Sequence, residues 1–388
     1  MQPLDIITIS ILLFLLILLT ISGYIELYIH NKSLLKIPTR IHVNGTRGKS
    51  SVTRLIAAGI RESGLKTYAK TTGTTPRIID NKGNDIELHR LRSASIGEQI
   101  KLIRYFSKYK PDVLILECMA VNPQYQWVSE HKIVKSTLGV ITNVSADHLD
   151  EMGTTLRDIA LSLSNTIPFN SKVITSEKNT LTPLKEVAEN RNTEIIISDE
   201  VVDQNYMDEL PFIEHPENVN LALKVCQSIG ISKEIALKGM LKTKPDPGAL
   251  FIWDIQYKKN KNKFISAFAA NDPNSTMKVW NLVTGKYVNK KCVFLNTRND
   301  RRYRTIQLIE LVLKHIKPHN FIIRGDDIES IIKDYQIKEM EIKVFNMQST
   351  KGEVIKYING LQNYIVVGVG IIVGWGDEFI KELKKYKI

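Results

Sequence analysis

Cysteine is scarce in this chain. Its three residues, Cys118, Cys226 and Cys292, are odd in number and far apart in a sequence of 388 residues. No disulfide framework and no CxxC metal site can be built from them, so the bulk of the chain reads as belonging to a reducing compartment. There is no zinc-finger spacing and no RNA-recognition signature, and nucleic acid is not an expected partner. No internal repeat is present.

Charge is missing from one long stretch. Ile6 to Ile25 contains no Asp, Glu, Lys or Arg, and Ile11 to Leu19 is unbroken apolar sequence. About 20 such residues at roughly 1.5 Å each cover a hydrocarbon core of roughly 30 Å. A signal peptide would need a basic n-region, but the N-terminal flank holds Asp5 and no Lys or Arg. Lys32, Lys36 and Arg40 follow the stretch. The positive-inside rule then predicts a single-pass anchor in the cell membrane with the bulk of the chain cytoplasmic. A buried core helix or an uncleaved signal is the plainer alternative. Later apolar runs are short, so one span is expected.

Elsewhere charge is plentiful. Lys and Arg number 53 against 41 Asp and Glu, a formal net charge of +12. Such an excess favours polyanions, although runs such as Lys258–Lys263 read more readily as solvated faces. Hydrophobic residues make up 43% of the chain, enough for sizeable cores. Strands alternate with helices, which implies α/β domains with mostly parallel sheets. Arg40–Val43, Val113–Leu116 and Leu138–Ile141 read as buried strands, with an amphipathic helix from Val52 that ends near Gly64 and a further helix over residues 156–167. The breaker cluster Pro245-Asp246-Pro247-Gly248 marks a boundary. Beyond it residues 264–268, 292–295, 321–323 and 364–367 read as strands, with helices starting near Ser275, near Thr305 and after Asp377. The expected organisation is an anchor over 1–30, a larger α/β domain over 31–247 and a smaller C-terminal α/β domain over 248–388.

The first buried strand runs into Asn44-Gly45-Thr46-Arg47-Gly48-Lys49-Ser50-Ser51, and a helix follows. Strand, glycine loop and helix in that order suit a phosphate: backbone N–H groups turn toward it and the helix N-terminus adds partial positive charge. Lys49 would neutralise the β- and γ-phosphates, and the Ser50 hydroxyl would ligate Mg2+. An ordinary turn before a helix is the alternative. Glu117 closes the strand Val113–Leu116, at the edge of a parallel sheet where ligands bind, and a hard carboxylate there could complete a Mg2+ site.

The shortened loop resembles the GTxGK[TS] loop of the Mur ligase and folylpolyglutamate synthetase superfamily, ATP-dependent carboxylate–amine ligases that work through an acyl phosphate. Thr142 to Asp150 resembles that family's TNxxxDHxD segment, which implies that His148 helps bind a second magnesium. The family's carbamylated lysine aligns with Leu163, which cannot carry a carbamate. His215-Pro216-Glu217-Asn218 resembles a helix start whose Asn contacts adenine; a helix-capping role for Asn218 carries equal weight. Pro247-Gly248-Ala249 resembles a PGR hinge without its Arg, which Arg298, Arg301 or Arg302 would replace, unless these form a solvated basic turn. Asn271 to Ser275 partly matches a DxAHNP-like loop, in which Asp272 would reach ribose or the incoming amine and Ser275 would cap a helix.

Further strings, Thr71–Thr74, Glu117–Ala120, Asp246–Leu250 and Asn296–Arg302, are similar to the poly-γ-glutamate synthase branch. The resemblance implies an ADP-forming ligase that polymerises glutamate onto a growing poly-γ-glutamate chain, using ATP and Mg2+. It assigns Lys49, Glu117, His148, Asp272 and Arg298 to catalysis. Asn44 to Ser51, Asn218 and Arg302 would bind nucleotide, and Ser50, Glu117 and His148 would hold metal. Closure of the second domain would exclude water. Integral membrane partner subunits are expected, and homo-oligomerisation is left open. The rivals are a ligase of the same chemistry with another substrate, a membrane-tethered P-loop ATPase or kinase, and a non-catalytic nucleotide-binding scaffold.

Overall fold

The structure is a computed structural model, and it describes all residues except 1–2, 74–75, 91–94, 200, 247–249, 269, 271, 286, 299–301, 334, 336–339 and 373, together with the side chains of 3–6. The hinge residues Pro247, Gly248 and Ala249, and the loop residues Asn271 and Arg301, therefore lie outside the described residues. The chain divides into two compact units. One is Met1–Gln204 with His215–Lys244; the other is Asn205–Glu214 with Pro245–Ile388.

Unit 1 opens with α1 (Pro3–Leu34), whose span Ile7–Leu34 is long and apolar enough to cross a membrane. Then come β1 (Thr39–Asn44), α2 (Lys49–Glu62), β2 (Thr67–Thr71), β3 (Arg77–Ile79) and β4 (Asp85–Glu87). They are followed by α3 (Gly97–Ser107), β5 (Val113–Glu117), α4 (Pro123–Val128) and β6 (Leu138–Ile141). Next are α5 (Leu149–Met152), α6 (Leu156–Leu163), β7 (Lys172–Thr175), α7 (Leu181–Asn190) and β8 (Glu194–Ile197). After α8 (Gln204–Glu209), which but for Gln204 belongs to unit 2, α9 (Pro216–Ser228) and α10 (Lys233–Met240) complete unit 1.

The eight strands lie in the order β4-β3-β2-β5-β1-β6-β7-β8. From β2 to β8 the pairing is parallel, whereas β2–β3 and β3–β4 are antiparallel. All of Val113–Glu117 is buried, as expected where helices cover both faces of a parallel sheet. Register matters most at β1. Val43 pairs with Glu117 and Asn44 with Ile141, so the ends of β5, β1 and β6 come level at one edge. Helix α2 is buried continuously from Val52 to Ile60. Gly239 of α10 allows its close packing, since a Cβ there would lie 2.4 Å from the Ala58 carbonyl.

Unit 2 contains the hairpin β9 (Phe251–Tyr257) and β10 (Asn260–Ser266), then α11 (Pro273–Thr284), β11 (Lys290–Asn296) and α12 (Arg302–Leu311). It ends with β12 (Asn320–Arg324), α13 (Ile328–Ile332), β13 (Glu341–Phe345), α14 (Lys351–Gly360), β14 (Tyr364–Gly370) and α15 (Trp375–Leu383). The order is β13-β12-β11-β14-β10-β9, parallel except for the β9–β10 edge. Apolar clusters lie on both faces, around Val293, Leu295 and Val367 on one and around Phe264, Phe294 and Phe379 on the other. Both units are thus α/β with mostly parallel sheets. The helix expected near Ser275 begins at Pro273, because Asp272 caps it.

Candidate active site

The loop after β1 is held by the segment after β6. Asn143 Oδ1 accepts from Thr46 Oγ1 at 2.6 Å and from the Arg47 N–H at 3.2 Å. Asn143 Nδ2 and Thr142 Oγ1 both donate to the Arg47 carbonyl, at 3.0 and 2.6 Å. Arg47 also pairs with Asp147 at 3.2 Å. These bonds fix the curve of the loop, whose next residue, Gly48, has φ +79° and stands before the first turn of α2. Lys49 Nζ folds back onto the Gly45 and Thr46 carbonyls, at 2.6 and 3.3 Å. Ser51 lies in the first turn of α2. Asn44 is turned away: its Nδ2 donates to Gln126 Oε1 at 2.8 Å and to Thr166 Oγ1 at 3.1 Å in a buried network. Its side chain anchors the end of β1, and the loop itself begins at Gly45.

Two candidate metal ligands meet. Ser50 Oγ donates to Glu117 Oε2 at 2.8 Å, and the same oxygen accepts the Thr72 N–H at 2.6 Å. Glu117 is 2% exposed. A hydroxyl and a carboxylate at the end of a phosphate loop are the hard oxygen donors that suit Mg2+, whose remaining positions phosphate and water would fill. His148 is placed differently. It is 48% exposed, has φ +48°, and its Nε2 lies 3.8 Å from Asp147 Oδ2. Among the described residues no three His, Cys, Asp or Glu side chains gather as a metal cluster. Leu163 is wholly buried with Ile141, Val144 and Ile159.

Asn218 is not the cap of α9. His215 occupies that position, and Asn218 lies in the first turn with its amide over the glycine loop, so that a Cβ on Gly48 would lie 2.6 Å from its Oδ1.

A buried ionic group lies close to Glu117. Lys70 at the end of β2 is fully buried, 3.1 Å from Glu98 Oε1 and 3.9 Å from Met119 Sδ. Arg90 grips the same carboxylate through Nε at 2.6 Å and through its second bond at 3.1 Å. Burial lowers the Lys70 pKa, and the Glu98 and Glu117 charges oppose that fall. Burial alone would raise the Glu98 carboxyl; Arg90 and Lys70 outweigh it and hold it below the usual range. From sequence, Lys70 to Thr75 reads as a loop that could close over substrate and Thr142-Asn143 as the start of the TNxxxDHxD-like segment, but neither reading places Lys70 in an ion pair or Asn143 on the glycine loop, and Glu98 is not singled out. The signal for Thr142 and Asn143 was their place at the end of the strand beside β1.

In unit 2, an open cleft of about 800 Å3 lies at the C-terminal ends of β11, β12 and β13. Thr297, Arg298, Arg302, Asp326, Asp327 and Asn346 help to line it. Arg298 and Arg302 are exposed, and Arg302 pairs with Asp327 at 3.1 Å. Asp272 caps α11, its Oδ1 accepting the Ser275 N–H at 3.0 Å. The cap expected of Ser275 is therefore supplied by Asp272.

The Mur ligase middle domain matches residues 43–241, and the poly-gamma-glutamate synthase CapB C-terminal domain matches residues 252–386. The capsule biosynthesis protein CapB of Bacillus anthracis is 36% identical over 381 residues, covering 96% of this chain and 82% of that protein. The PGA synthase CapB of Bacillus subtilis (strain 168) is 34% identical over 377 residues, covering 95% and 96%. Among solved structures, a bifunctional folylpolyglutamate synthase/dihydrofolate synthase of Yersinia pestis aligns over 92% of both chains with a TM-score of 0.70. E. coli FolC aligns over 93% of this chain and 92% of its own with a TM-score of 0.68. Both are 15% identical and so speak for the fold alone. With the middle domain matched across half the chain and the CapB proteins across nearly all of it, this chain belongs to the Mur ligase family, in its CapB-type poly-γ-glutamate synthase branch.

Proposed function

We propose that the chain is an ATP-dependent, ADP-forming ligase that extends poly-γ-glutamate. The observation that carries this reading is the Ser50–Glu117 contact at the end of the glycine loop, in a chain related along its length to CapB proteins. A carboxylate oxygen of the growing chain attacks the γ-phosphorus of ATP; the bond to the β-phosphate oxygen breaks, leaving ADP and an acyl phosphate. The amine of an incoming glutamate then attacks the acyl carbon. Phosphate leaves, the nitrogen loses a proton, and an amide remains.

Lys49 and the loop N–H groups from Gly45 to Ser51 stabilise charge on the transferred phosphoryl. For Lys49 this means exchanging the Gly45 and Thr46 carbonyls for phosphate oxygens. Ser50 and Glu117 would hold Mg2+, which would supply charge neutralisation there. His148 is assigned to a second ion or to the phosphate directly. Asn218 faces the nucleotide. On unit 2 we assign Arg298 and Arg302 to anionic groups entering the cleft. The Yersinia pestis relative in fold was crystallised with AMPPNP and Mn, which supports ATP and a divalent ion here. We assign residues 1–30 to a single-pass anchor, the rest of unit 1 to the ATP-binding domain on the cytoplasmic side and unit 2, which takes up residues 205–214 as well as the chain from Pro245, to the smaller domain, with integral membrane subunits as partners.

The test uses detergent-solubilised membranes containing the full chain or its Lys49→Ala variant, with Mg·ATP and labelled glutamate. Lys49-dependent, protease-resistant high-mass label with ADP and phosphate supports the reading. Polymer formed equally by the variant removes Lys49 from catalysis. ATP consumption without any amide product, partners present, favours a membrane-tethered ATPase or kinase.

A further inference from the structure

Helix α1 does not reach unit 1 through a linker; its last turns are packed into it. His30 is buried, its Nε2 2.7 Å from the Ile133 carbonyl, and Lys135 Nζ donates to Asn31 Oδ1 at 3.0 Å. Leu34 and Ile37 are buried in the cluster that holds Leu102, Ile103 and Phe106 of α3. Arg40 locks the exit by donating to the Ile37 carbonyl at 2.6 Å. One turn before His30, Glu26 lies 4.0 Å from Arg104 of α3.

Glu26 is the first charge after the apolar stretch Ile6–Ile25. If those residues fill the hydrocarbon, Glu26 stands in the headgroup layer, which is roughly 5–8 Å deep on each side. Its partner on α3 must stand there too. Between Glu98 and Asp112 the chain carries four basic residues and no acidic one. Lys101, Arg104 and Lys108 fall at i, i+3 and i+7, along one stripe of α3. Beside them Tyr105 and Tyr109 are 43% and 41% exposed, with ring centroids 5.2 Å apart. Aromatic rings with polar tips, among cations, are the composition of a membrane–water interface.

We propose that the outer face of α3 is a contact surface for anionic phospholipid headgroups, which seats unit 1 directly on the bilayer. This rests on α1 crossing the membrane. The surface makes the catalytic unit a fixed extension of its anchor, with the Lys101–Arg104–Lys108 stripe setting its tilt.

The full chain is reconstituted in nanodiscs of phosphatidylcholine, or of phosphatidylcholine with phosphatidylglycerol. A nitroxide at Tyr105→Cys is compared with one at Glu189→Cys, on the exposed side of α7, by relaxation with oxygen and with a water-soluble nickel complex. The native cysteines are buried. The expected result is headgroup depth at 105 in phosphatidylglycerol discs, water exposure at 189, and docking weakened about fivefold for each of Lys101→Gln and Lys108→Gln. Water exposure at 105, or depth indifferent to lipid charge and to both substitutions, overturns the proposal. Carbonate extraction separates the premises. A chain stripped from membranes shows that α1 does not span and removes the proposal with it; a retained chain with a water-exposed label removes the proposal alone.

Discussion

The carboxamide of Asn218 stands over Gly48, where a Cβ would lie 2.6 Å from its Oδ1. The φ of +79° at Gly48 is a second barrier to any side chain. Gly48→Ala is therefore expected to lose about 1–2 kcal/mol of stability and to weaken ATP binding, because either Asn218 or the loop must move. Thermal unfolding and calorimetric titration with ATP check both; unchanged ATP affinity would separate the Gly48–Asn218 contact from the nucleotide.

Glu117 receives Ser50 and the Thr72 amide on one oxygen. Glu117→Gln keeps the shape and removes the charge. The Mg2+ concentration for half-maximal ATP turnover is expected to rise at least about tenfold. A magnesium titration that superimposes on the parent's would exclude Glu117 as a ligand.

Asn143 is the clasp of the loop, bonded to Thr46, to the Arg47 N–H and to the Arg47 carbonyl. Asn143→Ala is expected to weaken ATP binding about tenfold, the worth of one to two net hydrogen bonds at about 1 kcal/mol each. Because the residue touches the loop from outside, the loss should appear in affinity more than in the turnover of saturated enzyme.

Lys70 and Glu98 separate the cost of burying a charge from the cost of stranding one. Lys70→Met leaves Glu98 still held by Arg90 and puts an apolar chain of similar volume in a dry site, so thermal stability should change little. Glu98→Gln leaves the ammonium of Lys70 buried without its partner and is expected to cost roughly 3–5 kcal/mol. Equal losses in the two variants would contradict this reading.

His42 of β1 and Glu130 form a wholly buried pair at 2.7 Å. Burial alone would make the imidazole shed its proton; the adjacent Cys118 and Glu130 outweigh it and raise the pKa from 6.5 to about 10. A raised folded-state pKa means stabilisation that is complete below about 6.5, the unfolded value. It is lost as pH climbs toward about 10. Parent and Glu130→Gln melting curves should therefore converge with rising pH across that window, and a constant gap would show that the pair does not titrate there.

Much of the geometry of the candidate site was legible because it is local. A buried strand, a glycine loop and a helix are consecutive in sequence, and the residues from Gly45 to Ser50 needed no tertiary information. Glu117 was legible as well, since a carboxylate ending an apolar run declares its own position at the sheet edge. The clasp by Thr142 and Asn143 depends on β1 pairing with β6, and the Lys70–Glu98–Arg90 group on a side chain reaching from a strand to α3. Such partners are set by register and long-range packing, which periodicity does not report. The short antiparallel strands β3 and β4 escaped for a simpler reason: three residues are too few to show alternation.

The path of the chain between its units has a practical consequence. Residues Asn205–Glu214 belong with unit 2, although unit 1 resumes at His215. The backbone passes between the units three times, so a single proteolytic nick near Pro245 frees Pro245–Ile388 from the covalent chain while residues 205–214 of the same unit stay joined to unit 1. A recombinant fragment started at that proline would lack ten residues of its own unit, including Ile213, which bridges to Leu250. It would expose Leu250 at the free end of β9, so isolated unit 2 is better obtained by grafting the 205–214 segment back than by a simple truncation.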